Sequence, residues 1–199
     1  MKVSDIIAHI NTRTKETPLV IGTSSDEFLR HLIELHQNAL LSEFELNIAV
    51  FKKELENADE VELDFEINKL ICAYLNNAAL NIISLSFAIK HKNTGALYFY
   101  EKAPKTYAFS KAVSGNLELW GVKKAFLTKN DDELTLGDEF TNLLVMSVFV
   151  DILRVQVSPD NTQRLDYFYK IVADEKSKIT SLLNARRTQT AFTAPFVRV

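Results

Sequence analysis

His31 and His36 are the closest pair of histidines in the chain, and they stand five residues apart. Two imidazoles converge on one metal ion from a helix face when spaced by four, usually with an acidic residue between them. Neither condition is met, so a surface or capping role is expected for both. His9 and His91 are isolated, and Cys72 sits between Ile71 and Ala73 with no sequence neighbour that would activate a thiolate. The acidic run from Glu54 to Glu66 could present paired carboxylates to a metal or a glycoside. Local charge fixes no geometry, however, and the run reads as a solvated face. The five glycines are scattered, and none precedes a Lys-Ser or Lys-Thr pair, which excludes a phosphate loop of that type. Lys102, Lys105 and Lys111 alternate with Tyr100, Tyr107 and Phe109, a pattern that could stack bases and hold phosphates. The same residue types also suit an ordinary antiparallel sheet with lysine-guarded edges. No catalytic, cofactor-binding or metal-binding residue is assigned from these patterns.

The elements that would position such groups are bounded by the totals. At 199 residues the chain can bury one sizeable core, and 47% hydrophobic with 25% charged residues is ordinary for a globular protein. A formal charge of −3 argues against a dedicated DNA-binding module. One cysteine permits no internal disulfide, and Met1-Lys2-Val3-Ser4-Asp5 lacks the apolar core of a signal peptide, so a reducing cytoplasm is expected. Leu70 to Ile89 carries no charge and has about the length of a membrane span. Its Asn76, Asn77, Asn81, Ser84 and Ser86 favour protein core over lipid.

Val3, Ile6, Ile7 and Ile10 predict a short first helix ending near Asn11, broken at Thr17-Pro18. Ser24 and Glu27 form a possible capping box for a long second helix, striped by Phe28, Leu32, Leu35, Ala39, Leu46, Val50 and Leu55. Ile67 to Leu75 also reads as helix. Ile83, Leu85, Phe87 and Ile89 then alternate as a half-buried strand. Leu97–Tyr100, Thr106–Ser110 and Leu117–Phe126 come next as strands separated by Pro104 and by Ser114-Gly115-Asn116. Leu143 to Leu153 is apolar nearly all round and predicts a central helix. Ser158-Pro159 opens a last helix with Leu165, Phe168, Val172, Ile179, Leu182 and Leu183 on one face, and Arg186 and Arg187 complement its carboxyl end. Thr188 to Val199 then mixes Phe192, Pro195, Phe196 and Val197, which favours an extended arm. Such an arm exposes apolar area worth about 25 cal/mol per Å² once covered by a partner.

The expected fold is therefore α+β: a helical bundle, with a long N-terminal helix and a C-terminal helix pair, an inserted small antiparallel β-sheet and an extended C-terminal arm. It is read as one domain with N-terminal helices over 1–80, a β region over 81–128, the helix pair over 136–187 and the arm over 188–199.

This layout resembles the head-to-tail connector proteins of tailed bacteriophages, also called adaptor, head-completion or tail tubular A proteins. Leu136-Gly137-Asp138-Glu139-Phe140 is similar to the acidic opening of the family's carboxyl-terminal helix pair, with Gly137 in place of proline. Leu143-Leu144 and Tyr167-Phe168-Tyr169 match the two helices of that pair. The resemblance implies a non-enzymatic, cofactor-free structural subunit of the virion, at the head-tail interface, made in the host cytoplasm. It implies a homo-oligomeric ring of about twelve copies, with heterologous contacts between neighbours. Its partners would be the portal protein, a tail or tail-tube protein, and genomic DNA passing through the lumen without sequence-specific binding; no membrane is involved. Arg186, Arg187, Phe192, Pro195, Phe196 and Val197 would then meet the portal or an adjacent subunit. The alternatives are another neck or tail component such as a terminator, or a small intracellular enzyme or ligand-binding regulator.

Overall fold

The apolar stripe that begins at Phe28 changes character after Glu43. Glu45 and Asn47 both adopt left-handed backbone conformations, with φ of 51° and 54°, and this ends the helix that the stripe alone would continue. In a computed structural model describing residues 1–16, 25–91, 95–155 and 159–192, the second helix α2 spans Asp26–Glu43, after α1 at Val3–Glu16. Ser25 Oγ accepts the Phe28 amide at 3.3 Å, so the cap falls on Ser25. Thr17-Pro18 and the Ser24 half of the expected capping box lie outside the described residues.

Beyond α2 the chain turns to sheet. β1 covers Ile48–Glu62, β2 Ile67–Leu75, β3 Ala78–Ala79 and β4 Asn81–Ile82. A short helix, α3, spans Leu85–Lys90, and β5 (Tyr98–Ala103) and β6 (Thr106–Lys123) complete a six-stranded sheet. β6 is its spine: β1 pairs antiparallel along one side, while β2 and β5 share the other. β4 runs parallel to β5, which makes the sheet mixed, and it curls nearly closed around its own core. That core holds Leu55, Val61, Phe99, Tyr107, Phe109 and Leu119.

The expected helical bundle with a small inserted antiparallel sheet is thereby corrected. Two segments expected to be helical, the end of the long second helix and Ile67–Leu75, are strands β1 and β2. Asn76 and Asn77, with φ of 51° and 66°, form the two-residue turn joining β2 to β3. The expected break at Ser114-Gly115-Asn116 is spanned by continuous β6, and the segment from Ile83 to Ile89 turns into α3. Gly115 has φ of 133°, a conformation essentially restricted to glycine, and the Asn76 side chain occupies the space a Cβ would need. Asn76 Oδ1 there accepts the Asn116 amide at 2.8 Å.

The described chain groups into two compact units, one formed by Met1–Ala39 with Phe126–Val199 and the other by Leu40–Ala125. In the first, a 3-10 turn at Asp138–Phe140 leads into α4 (Thr141–Val155), and α5 spans Pro159–Phe192. α4 is central as its composition predicts: Leu143, Leu144, Val148, Phe149 and Leu153 are fully buried, and it packs on α1 and α5. α2 holds the segment that precedes α4 through two side chains. Glu34 Oε2 accepts the Leu127 amide and Gln37 Oε1 the Thr135 amide, each at 2.8 Å. The first part of the expected extended arm is also corrected, because α5 continues through residues 188–192; residues 193–199 lie outside the described residues. Gln189 and Ala191 in that stretch are competent helix formers.

Candidate partner-binding surfaces

At 34 residues, α5 is roughly 50 Å long at 1.5 Å per residue. Leu165, Phe168, Val172, Ile179 and Leu183 recur on one face, as the sequence predicts, and Phe149 meets Phe168 edge-on at 5.0 Å. Among the side chains described on this helix, only Ile179 is fully buried. Tyr167 is 62% exposed, and Tyr169 and Leu182 are also open to solvent. An α-helix gains most of its stability from tertiary packing of one face, so a long helix this thinly covered has apolar surface to spare.

Of the residues expected to meet a partner, Arg186 and Arg187 lie exposed near the carboxyl end of α5. Arg186 Nη1 donates to Glu139 Oε1 at 2.6 Å, tying α5 to the turn that opens α4. Phe192 closes α5, and its side chain, like Pro195, Phe196 and Val197, lies outside the described residues. The Glu139 carboxyl is held below its ordinary value by its own backbone amide and then by Arg186. A depressed carboxylate stabilises fully above the ordinary glutamate value of about 4.3, and its contribution is lost as pH falls through the lowered value. Amide protection factors at the carboxyl end of α5, exchange being corrected for its intrinsic pH dependence, are therefore expected to fall on acidification from about pH 5 to 3, and Glu139→Gln should flatten that response. Identical profiles for the two proteins would remove the tie.

A second surface lies on the β unit. Ser84 Oγ caps α3 by accepting the Phe87 amide at 3.3 Å, and this short helix turns apolar side chains outward. Ile82, Leu85, Phe87 and Ile89 are exposed at 39, 41, 41 and 68%, and within α3 only Ala88 is buried. The uncharged run from Leu70 to Ile89, expected to be core, is therefore core only in part. Its second half forms an apolar tip. Beside it lies a groove of about 440 Å³, lined by Leu70, Ile82, Leu85 and Tyr107 together with Glu101 and Lys102. Burial, and then the Glu101 carboxylate, push the Tyr107 phenol above its ordinary value, so it stays protonated at every physiological pH.

A third exposed patch runs across the outer sheet face, where Val50 of β1 pairs with Trp120 of β6. Trp120 Nε1 donates to Glu118 Oε1 at 2.6 Å, and Lys52 reaches Glu118 at 2.9 Å. Lys52 first, and then Trp120, lower the Glu118 carboxyl below its ordinary value. Along its length β1 carries Lys52, Lys53 and a bulge around Asn57, features that blunt an edge against stray pairing.

The nucleic-acid pattern does not survive folding. Tyr107 and Phe109 are core residues packed around Phe99, so they offer no stacking surface. Lys102 pairs with Glu60, and Lys111 Nζ donates to the Gly95 carbonyl at 3.0 Å. The acidic run is a solvated strand face, as expected, with Glu60 and Glu66 bonded to lysines. His36 Nε2 lies 2.9 Å from Asp151 Oδ2 and joins α2 to α4, whereas His31 is exposed. Among the described residues no cluster of His, Cys, Asp and Glu could hold a metal ion, and no helix is long and apolar enough to cross a membrane.

The fold and these surfaces define an α+β protein whose curled β unit is inserted in sequence between the two segments of a helical unit, with exposed apolar groups on α5 and on the α3 tip among others. No family model matches the chain, and a search of curated proteins returns no relative.

Proposed function

We propose that the chain is a structural, non-catalytic subunit of a phage head-tail connector, joining portal to tail in a homo-oligomeric ring around the DNA channel. The observation that carries this reading is α5: 34 residues long, with a single fully buried side chain among those described and with Tyr167, Tyr169 and Leu182 open. A rod of that kind suits side-by-side packing of copies, in which one flank of each subunit meets a different flank of the next. The order of elements adds support, since helices come first, a β unit is inserted, and the chain returns to a helical pair opened by Asp138-Glu139. In this reading the carboxyl-terminal residues, from Arg186 and Arg187 onward, reach the portal, and DNA passes without sequence-specific contact. The virion is then the place of action.

The test is electron microscopy of the purified chain mixed with its portal protein. Rings on the portal are expected with the full chain, and deletion of Thr188 to Val199 should abolish attachment while far-UV circular dichroism stays close to native. A truncated chain that still decorates portals, or a full chain that never does, would overturn the proposal.

A further inference from the structure

We propose that the α3 tip and the adjoining groove form a self-complementary surface through which two copies of this chain pair about a two-fold axis. The inference stands on the β unit alone and goes beyond the connector reading. Leu85 lines the groove, and Ile89 lies one helical turn further along the same short helix, so a projecting side chain and the recess that could take it are neighbours on one patch. When knob and recess adjoin, a two-fold places each knob over the other copy's recess at once, which is the defining property of an isologous contact.

Charge selects the same occupant. Lys90 is next in sequence after the knob, and the recess is lined by Glu101 and by Lys102, whose charge Glu60 of the same copy already pairs. Lys90 and Glu101 are both exposed, and among the described residues no ion pair joins either to a partner. Pairing would therefore match two reciprocal Lys90–Glu101 contacts around two apolar insertions. The groove's volume of about 440 Å³ has room for an isoleucine side chain and the aliphatic stem of a lysine. Four exposed apolar side chains per copy make a small interface, below the roughly 1,200 Å² of stable complexes, so a reversible dimer with a dissociation constant on the order of tens of micromolar is expected.

Sedimentation velocity of the full chain across a concentration series tests this, with Trp120 fluorescence confirming the fold of each variant. The native chain should shift from monomer to dimer. Ile89→Asp should weaken the dimer at least about tenfold, because it loses the apolar insertion and sets a carboxylate near the partner's Glu101. Lys90→Glu and Glu101→Lys should each weaken it, and the double exchange should restore it. A native chain that is monomeric throughout overturns the inference, as does a dimer indifferent to Ile89→Asp and to the charge exchange. A monomer that instead co-sediments with vesicles of equal anionic and zwitterionic lipid gives the tip to a membrane surface and also overturns it. Because portal binding is read separately by microscopy, rings that form normally with Ile89→Asp leave the connector reading standing whatever becomes of the dimer.

Discussion

Replacing Phe99 with alanine is expected to destabilise the β unit by about 3–5 kcal/mol, the range measured for removing a fully buried aromatic ring. Phe99 is completely excluded from solvent. Its ring stacks on Tyr107 at a centroid separation of 5.3 Å and meets Phe109 at 4.9 Å. These three rings lie on the inner face of β5 and β6, where the sheet curls, so the cavity left behind is lined by strands that cannot close without breaking register. Domain stabilities run from about 5 to 15 kcal/mol, so the loss is a large share of what the unit has. The chain's only tryptophan, Trp120, lies on β6 and makes the measurement selective. Its fluorescence in a urea titration reports the sheet. The midpoint should fall with little change in slope, and a loss below about 1 kcal/mol would show that the ring is not packed as described.

The second large effect is expected at Phe149, where alanine should lower the stability of the helical unit by about 3–5 kcal/mol. Phe149 is fully buried on α4, between neighbours that are themselves buried, and its ring meets Phe168 of α5 edge-on. α5 has few other deep anchors, so losing this one should loosen the helix as well as lower global stability. Ellipticity at 222 nm follows the helices, and amide exchange along α5 locates the change. Faster exchange around Phe168 is expected, with Phe149→Leu retaining most of the protection. Exchange along α5 that matched the native protein would mean that α5 is held elsewhere.

The elements that were legible in the sequence are those whose apolar pattern allows only one reading. Leu143 to Leu153 is apolar on nearly every side over three turns, which no half-buried strand requires, and it became α4. Pro104 marked the β5–β6 turn because it cannot donate to a ladder, and Lys105 beside it takes φ of 64°. β1 was not legible. Leu46 and Val50 lie four apart, a spacing that fits both the helical period and two pleats of a strand. Its pairing partner β6 lies far along the chain, and only the ladder from Ile48–Val122 onward settles the choice. Asn76-Asn77 carried a readable turn signal that the neighbouring apolar run obscured.

The candidate surfaces divide in the same way. Sequence pattern found the apolar face of α5, because a helix period can be counted along one segment, but it placed Arg186 and Arg187 at the carboxyl end, whereas the helix runs on to Phe192 and its last turn carries no basic residue. It read Ile82 to Ile89 as core, since hydrophobicity registers what a residue would prefer and not whether the fold supplies a cover. The order of amino acids by itself determined the central helix, the β5–β6 hairpin and the long final helix. Tertiary structure alone decided that β1 and β2 are strands, that Tyr107 and Phe109 face inward, and that the α3 tip is left bare. Each of those outcomes depends on a partner segment distant in sequence, and local periodicity carries no information about where such a partner will lie.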